Sequence, residues 1–141
     1  MANIAFKIVF TLTGVVMVVL GLDSALGGLN TLGLQVQQGF YSVSDEQNFL
    51  IRDNHIRFLG GAWLGVGLLY IAAAFRPKQL RQTVLLTVAF IFIGGLARLT
   101  SPDVSIVFST NVLGSFLFEM LYFPALGFWL ARRTGPSARF G

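Results

Sequence analysis

Four apolar stretches dominate this chain of 141 residues, at about 4–22, 54–75, 82–100 and 106–131. Each is close to the roughly 20 residues that an α-helix needs to cross a bilayer. None alternates apolar and polar residues over ten-residue segments, so transmembrane strands are excluded. Charge supports the same reading, because only 11% of the residues are charged and 55% are hydrophobic. Soluble domains carry about 25% charged residues, and a chain this poor in charge needs lipid as solvent for much of its surface. The expected fold is an all-α integral membrane four-helix bundle, a single domain with a long external first loop at about 23–53.

The first stretch has a rival reading. Lys7, the apolar run after it and the small residues Ala25-Leu26-Gly27 imitate a secretory signal with its cleavage site. It is read here as a true span.

Orientation follows from the basic residues. Arg76, Lys78 and Arg81 lie between spans two and three, Arg132, Arg133 and Arg139 follow span four, and Lys7 lies near the amino terminus. The positive-inside rule places all three clusters in the cytoplasm, which gives N-in/C-in and puts the first loop and the 101–105 turn outside. The localisation expected is an inner, cytoplasmic membrane, crossed several times. The net charge of +4 is spread in short clusters without a basic stripe and interleaved aromatics, so nucleic acid is not an expected partner.

Zero cysteines and one histidine remove disulfides, thiolate chemistry and iron–sulfur ligation and argue against a multi-histidine metal or haem site. No cofactor and no metal are expected.

In the first loop, Gly27-Gly28 and Gly33 act as breakers. Leu29, Leu32, Leu34, Val36, Phe40 and Tyr41 make it too apolar to be freely solvated. Ser44 followed by Gln47 matches a capping box, so the second helix is expected to begin near Asp45 and rise through the interface or bend near Asn54. Gly61 and Gly65 stand in GxxxG spacing, which lets helix backbones approach closely. Their partner is another span of the same chain, a second copy or a larger membrane complex. Gly94, Gly95 and Ala97 offer a matching surface in span three.

Polar residues inside the spans carry the functional expectations. Glu119 lies near the middle of 106–131, and an acidic residue at a helix centre costs about 2.5–3.5 kcal/mol even on mild insertion scales. It is expected to face other helices. Asp53 and Arg57 are spaced i, i+4 with the acid first, as in a helix-surface ion pair. His55 lies beside them at the outer entrance of span two, and Arg98 near the outer end of span three. Counting helical rise from a turn near Asp103 puts Glu119 roughly 10–16 Å deeper than Arg98. A direct ion pair is therefore expected only if the helices are staggered or broken. Ser115, Asn111, Thr87, Thr11 and Thr13 have suitable depths to hydrogen-bond Glu119.

The segment Asp53-Asn54-His55-Ile56-Arg57-Phe58-Leu59-Gly60-Gly61-Ala62-Trp63-Leu64-Gly65, then Gly94-Gly95-Leu96-Ala97-Arg98-Leu99, then Glu119 followed by Pro124, resembles the bacterial family called domain of unknown function 4345. Its members are small four-span membrane proteins with a DoxX-like appearance. The resemblance covers most of the chain. It implies the fold and a bacterial origin, and makes Arg57, Arg98 and Glu119 the family's polar positions. It implies no activity.

Three functional classes follow. The first is a non-catalytic binding or accessory protein that holds a lipid-like or quinone-like anionic amphipath, or docks on a membrane complex. Its ligand-binding candidates are Arg57, Arg98, Glu119, Asn111 and Ser115, and membrane lipids are its expected partners. The second is a small proton-coupled transporter using Glu119, with His55 and Asp53 as further proton-handling groups. The third, an intramembrane acid–base enzyme, ranks last because the sequence offers no nucleophile–base–orienter set and so no catalytic residues to name.

Overall fold

The computed structural model describes residues 2–32, 34 and 43–135. Gly33, Val36, Phe40 and Tyr41 of the first loop and Arg139 of the tail lie outside the described residues. Within them the fold is all-helical, without strands. Four helical segments are long and apolar enough to cross a membrane, as in a multi-pass membrane protein: Ile4–Asn30, Glu46–Phe75, Arg81–Arg98 and Leu113–Thr134. The chain divides into two compact units, Met1–Phe75 and Arg76–Gly141.

In the first unit, α1 (Ala2–Gly27) runs five residues past the expected end at Leu22. Asp23-Ser24-Ala25-Leu26 contains neither Pro nor Gly, so the first true breaker is Gly27-Gly28. Gly28 has φ +60, the left-handed conformation that a side chain disfavours, and a 3-10 turn over Gly28–Asn30 follows.

The second helix, α2 (Glu46–Phe75), has 30 residues, or about 45 Å at helical rise. It begins where the sequence suggested, but Asp45 caps it rather than Ser44. The Asn48 backbone N–H donates to Asp45 Oδ1 at 3.0 Å, and Asn48 Nδ2 donates to Oδ2 at 2.5 Å. A carboxylate one residue later thus satisfies an orphan donor of the first turn.

Glycines at seven-residue spacing bring α1 and α2 together. A Cβ on Gly14 would lie 2.6 Å from the Gly67 carbonyl oxygen, and one on Gly21 would lie 2.5 Å from Leu64 N and 2.8 Å from the Gly60 carbonyl oxygen. The antiparallel register is constant: Gly14 meets Gly67 and, two turns on, Gly21 meets Gly60. Gly61 and Gly65 have nothing within 4 Å. The GxxxG motif therefore does not join α2 to α1; Gly60 is the glycine on the seam, and Gly61 is turned about 100° away from it at 3.6 residues per turn. Along and below the glycine seam, Phe6, Phe10, Met17, Tyr70, Ala73 and Ala74 are buried, with the Phe10 and Tyr70 rings stacked at 5.6 Å.

The second unit contains α3 (Arg81–Arg98) and an interrupted fourth span. The sequence led us to expect one helix over 106–131. Instead Asp103 caps a 3-10 helix, Val104–Phe108, accepting from Ser105 N at 3.0 Å and Ser105 Oγ at 2.6 Å. Ser109 ends it in an extended conformation. Only after a turn does α4 (Leu113–Leu117) begin, followed by a π-turn over Phe118–Tyr122 and α5 (Phe123–Thr134). The Phe123 N–H donates to the Phe118 carbonyl, five residues back. This widened turn immediately precedes Pro124, which has no N–H and whose ring crowds the carbonyl four residues earlier. Close packing again uses glycine: a Cβ on Gly95 would lie 2.8 Å from Met120 Sδ and 3.1 Å from Glu119 Cβ, and one on Gly127 3.3 Å from Val88. Val84, Val107, Phe123, Leu126 and Leu130 are buried.

Candidate functional site

Arg98 and Glu119 form a two-pronged ion pair inside the second unit. Arg98 Nε donates to Glu119 Oε2 and Arg98 Nη2 to Oε1, each at 2.6 Å. The fork of the guanidinium matches the carboxylate, the geometry that gives charge-assisted hydrogen bonds their strength. Glu119 is 8% exposed, whereas the Arg98 side chain keeps 37% of its surface open.

The sequence allows a direct Arg98–Glu119 pair only if the helices are staggered or broken, and the fourth span is broken. Depth was counted as though helix ran from residue 106, but 104–112 forms a 3-10 helix and a turn, and the α-helix starts at Leu113. Glu119 is then only six residues in, about 9 Å at helical rise, within reach of a long side chain ending α3. Gly95, one turn before Arg98, lets α3 approach the π-turn closely enough for the pair to close. Glu119 accordingly lies in the first third of its span rather than near the middle.

Within the second unit, neither Ser115 nor Thr87 is hydrogen-bonded to Glu119 among the described residues. Ser115 Oγ donates to the Val112 carbonyl at 2.8 Å, Thr87 Oγ1 to that of Thr83 at 2.8 Å and Thr13 Oγ1 to that of Val9 at 2.8 Å. Short hydroxyl side chains in a helix find the preceding turn before they find a neighbour. Asn111 lies exposed in the turn before α4, and Thr11 is half-buried on α1.

A second pair belongs to the first unit. Arg57 Nε donates to Asp53 Oδ2 at 2.6 Å. Sequence spacing suggested a helix-surface pair, but Asp53 is only 7% exposed and also accepts from Leu29 N at 2.8 Å. Arg57 Nη1 reaches the Ala25 carbonyl at 3.3 Å and also donates to that of Leu26. One carboxylate and one guanidinium on α2 thus satisfy the end of α1, whose last carbonyls and following N–H would otherwise be orphans. A Cβ on Gly28 would collide with the Asp53 carboxylate. Glycine is required there by space as well as by φ. His55 lies exposed on α2 outside this cluster.

Gly28 and Gly95 are site residues that the sequence reading did not assign. The available signal was spacing: Gly14, Gly21 and Gly28 recur every seven residues, as do Asp53, Gly60 and Gly67. Among the described residues no group of three or more His, Cys, Asp or Glu side chains is placed to hold a metal ion.

Outside the spans, Asp103 is held below the ordinary carboxylate value by the Ser105 hydroxyl and then by the Ser105 backbone N–H. Asp45 is lowered first by the Asn48 backbone N–H and then by its side chain.

No curated protein matches the chain, and no solved structure does. A family described as Domain of unknown function (DUF4345) matches residues 5–130, a stretch holding both ion pairs, the glycine seam and the π-turn. The chain belongs to the DUF4345 family.

Proposed function

We propose that this protein is a non-catalytic binding or accessory component of a bacterial inner membrane, oriented N-in/C-in, that holds the anionic headgroup of a lipid-like or quinone-like amphipath. The carrying observation is the state of Arg98. Glu119 fixes the guanidinium through Nε and Nη2, while Nη1 makes no hydrogen bond among the described residues and the side chain stays 37% exposed. Arg57 repeats the arrangement, with Nε and Nη1 engaged, Nη2 without a hydrogen bond among the described residues, and 39% exposure. A guanidinium pinned by a buried acid has already lost much of its rotamer freedom, so donating its remaining N–H groups to an anion costs little further ordering. Exposed apolar side chains such as Phe90, Ile93 and Leu96 on α3 suit the acyl portion.

An accessory role would reach a partner helix through the face of α2 bearing Gly61 and Gly65, where nothing approaches within 4 Å. A proton-coupled carrier would instead need the Arg98–Glu119 pair to open, because one guanidinium occupies both carboxylate oxygens.

The test compares Arg98→Gln, Arg57→Gln and Glu119→Gln in the detergent-purified full chain. Loss of a charged hydrogen bond of about 1.5–3 kcal/mol corresponds to roughly 10- to 150-fold weaker binding. Native mass spectrometry should show loss of a co-purifying anionic amphipath in the two Arg variants. Proton-coupled flux in proteoliposomes that vanishes in Glu119→Gln, with no ligand loss in the Arg variants, would overturn the proposal in favour of transport.

A further inference from the structure

Charge is segregated along the second unit. Its only acids are Asp103 and Glu119, and its basic residues apart from Arg98 are Arg76, Lys78, Arg81, Arg132, Arg133 and Arg139. The helix register brings five of these to one end. Gly127 packs against Val88 and Gly95 against Glu119 and Met120, so α3 and α5 are antiparallel. Two turns beyond Val88 and Gly127, residue 81 stands level with about residue 134. Arg81, opening α3, is therefore at the same end as Arg132 and Arg133, which close α5, and the turn carrying Arg76 and Lys78 leads into it. The Arg98–Glu119 pair sits at the other end of α3, about 25 Å away at helical rise.

Two further observations mark this end. Arg76, Lys78 and Arg132 are exposed, with no acidic side chain of the unit near them in register. Arg81 Nε is enclosed by the protein and has no hydrogen-bond acceptor among the described residues, so no protein carboxylate among them neutralises this cation through that atom. Arg132 lies with its guanidinium 4.5 Å from the Phe128 ring centroid, which holds the charge against an apolar, exposed ring, as at a membrane interface.

We infer that this end of the second unit is a recognition surface for the phosphodiester headgroup of an anionic phospholipid. Clustered cations beside a membrane span attract anionic lipid at about fivefold in affinity per Lys or Arg. A guanidinium fork matches phosphate oxygens where an ammonium offers a point charge. The surface is separate from the ligand proposed at Arg98, and either can fail alone.

The experiment titrates the detergent-solubilised full chain with short-chain phosphatidylglycerol or phosphatidylcholine and counts bound lipid by native mass spectrometry. Wild type should bind phosphatidylglycerol in preference. Lys78→Gln, in the exposed turn, should weaken phosphatidylglycerol binding about fivefold without affecting folding, and Arg81→Gln at least as much. Arg52→Gln, which removes an exposed cation at the start of α2, should leave it unchanged. Equal binding of the two lipids, or an equal loss in Arg52→Gln, would overturn the inference. So would displacement of phosphatidylglycerol by equimolar inorganic phosphate, which would make the surface a phosphate site.

Discussion

In the first unit, α1 and α2 lie against each other along a seam where glycine faces backbone on both sides, from Gly14 and Gly67 to Gly21 and Gly60. In the second, α3 meets a span broken into a 3-10 helix, a short α-helix, a π-turn and a final α-helix, and a two-pronged ion pair closes the break. Both units bury a carboxylate and leave its arginine more than a third exposed. They differ in what the acid does. Asp53 finishes the end of a helix, with the Leu29 N–H and Arg57 as its partners. Glu119 serves no backbone group in its described bonds and holds only Arg98. Where regular helices approach to backbone contact, the buried acid is tied to the backbone at a helix end; where a helix is interrupted, the buried acid is tied to a single guanidinium across the break.

The largest expected effect separates adjacent glycines. Gly60→Leu must push a side chain into the Gly21 carbonyl and the 24–25 backbone, and backbone cannot swing aside as a side chain can. We expect destabilisation of about 3 kcal/mol, the upper part of the range for overpacking. Gly61→Leu, with nothing within 4 Å, should change intramolecular stability by less than about 0.5 kcal/mol. Unfolding in mixed detergent micelles measures both, and equal losses would dissolve the distinction between seam and outer face.

Asp53→Ala comes next. It leaves the Leu29 N–H and the Arg57 guanidinium without their acceptor, and about 2 kcal/mol of lost stability is expected. Hydrogen exchange should show faster opening at residues 25–30 than in α3. Uniform acceleration across both units would contradict the assignment of Asp53 to the end of α1.

Much of this was legible in the sequence, but unevenly. Apolar length located the four spans, because burial in lipid demands about 20 residues whatever the packing. The i, i+4 spacing of Asp53 and Arg57 gave their pairing. The helix start near Asp45 was also readable, although the choice of cap was not, since Ser44 and Asp45 are both good capping residues. The Arg98–Glu119 contact was not readable, because the apolar run of 106–131 hides a 3-10 helix nucleated by Asp103 and a turn at 109–112. Hydropathy records what lipid tolerates and not where a helix breaks. GxxxG spacing leaves the partner open for a related reason: it records close approach in principle, whereas which face of α2 meets α1 depends on a register that the seven-residue spacing of Gly14, Gly21 and Gly28 reveals.

A smaller effect concerns acid. Asp103 has its folded value lowered from the ordinary 3.8, so its contribution to stability is present above that value and fades as pH falls below it. Asp103→Asn should flatten this part of the pH–stability curve slightly, and the 3-10 helix at 104–108 should lose hydrogen-exchange protection. An unchanged curve and unchanged protection would remove Asp103 as the cause of the break in span four.

A double-mutant cycle on Arg98→Gln and Glu119→Gln, read as unfolding free energy in the same micelles, tests the ion pair most directly. Because Arg98 is 37% exposed, the coupling should be about 1 kcal/mol, well below the 3–5 kcal/mol lost on breaking a fully buried pair. The double variant should therefore be less destabilised than the two single variants added together. Strict additivity would mean that Arg98 and Glu119 do not meet, and would contradict the structure of the broken span on which the functional proposal rests.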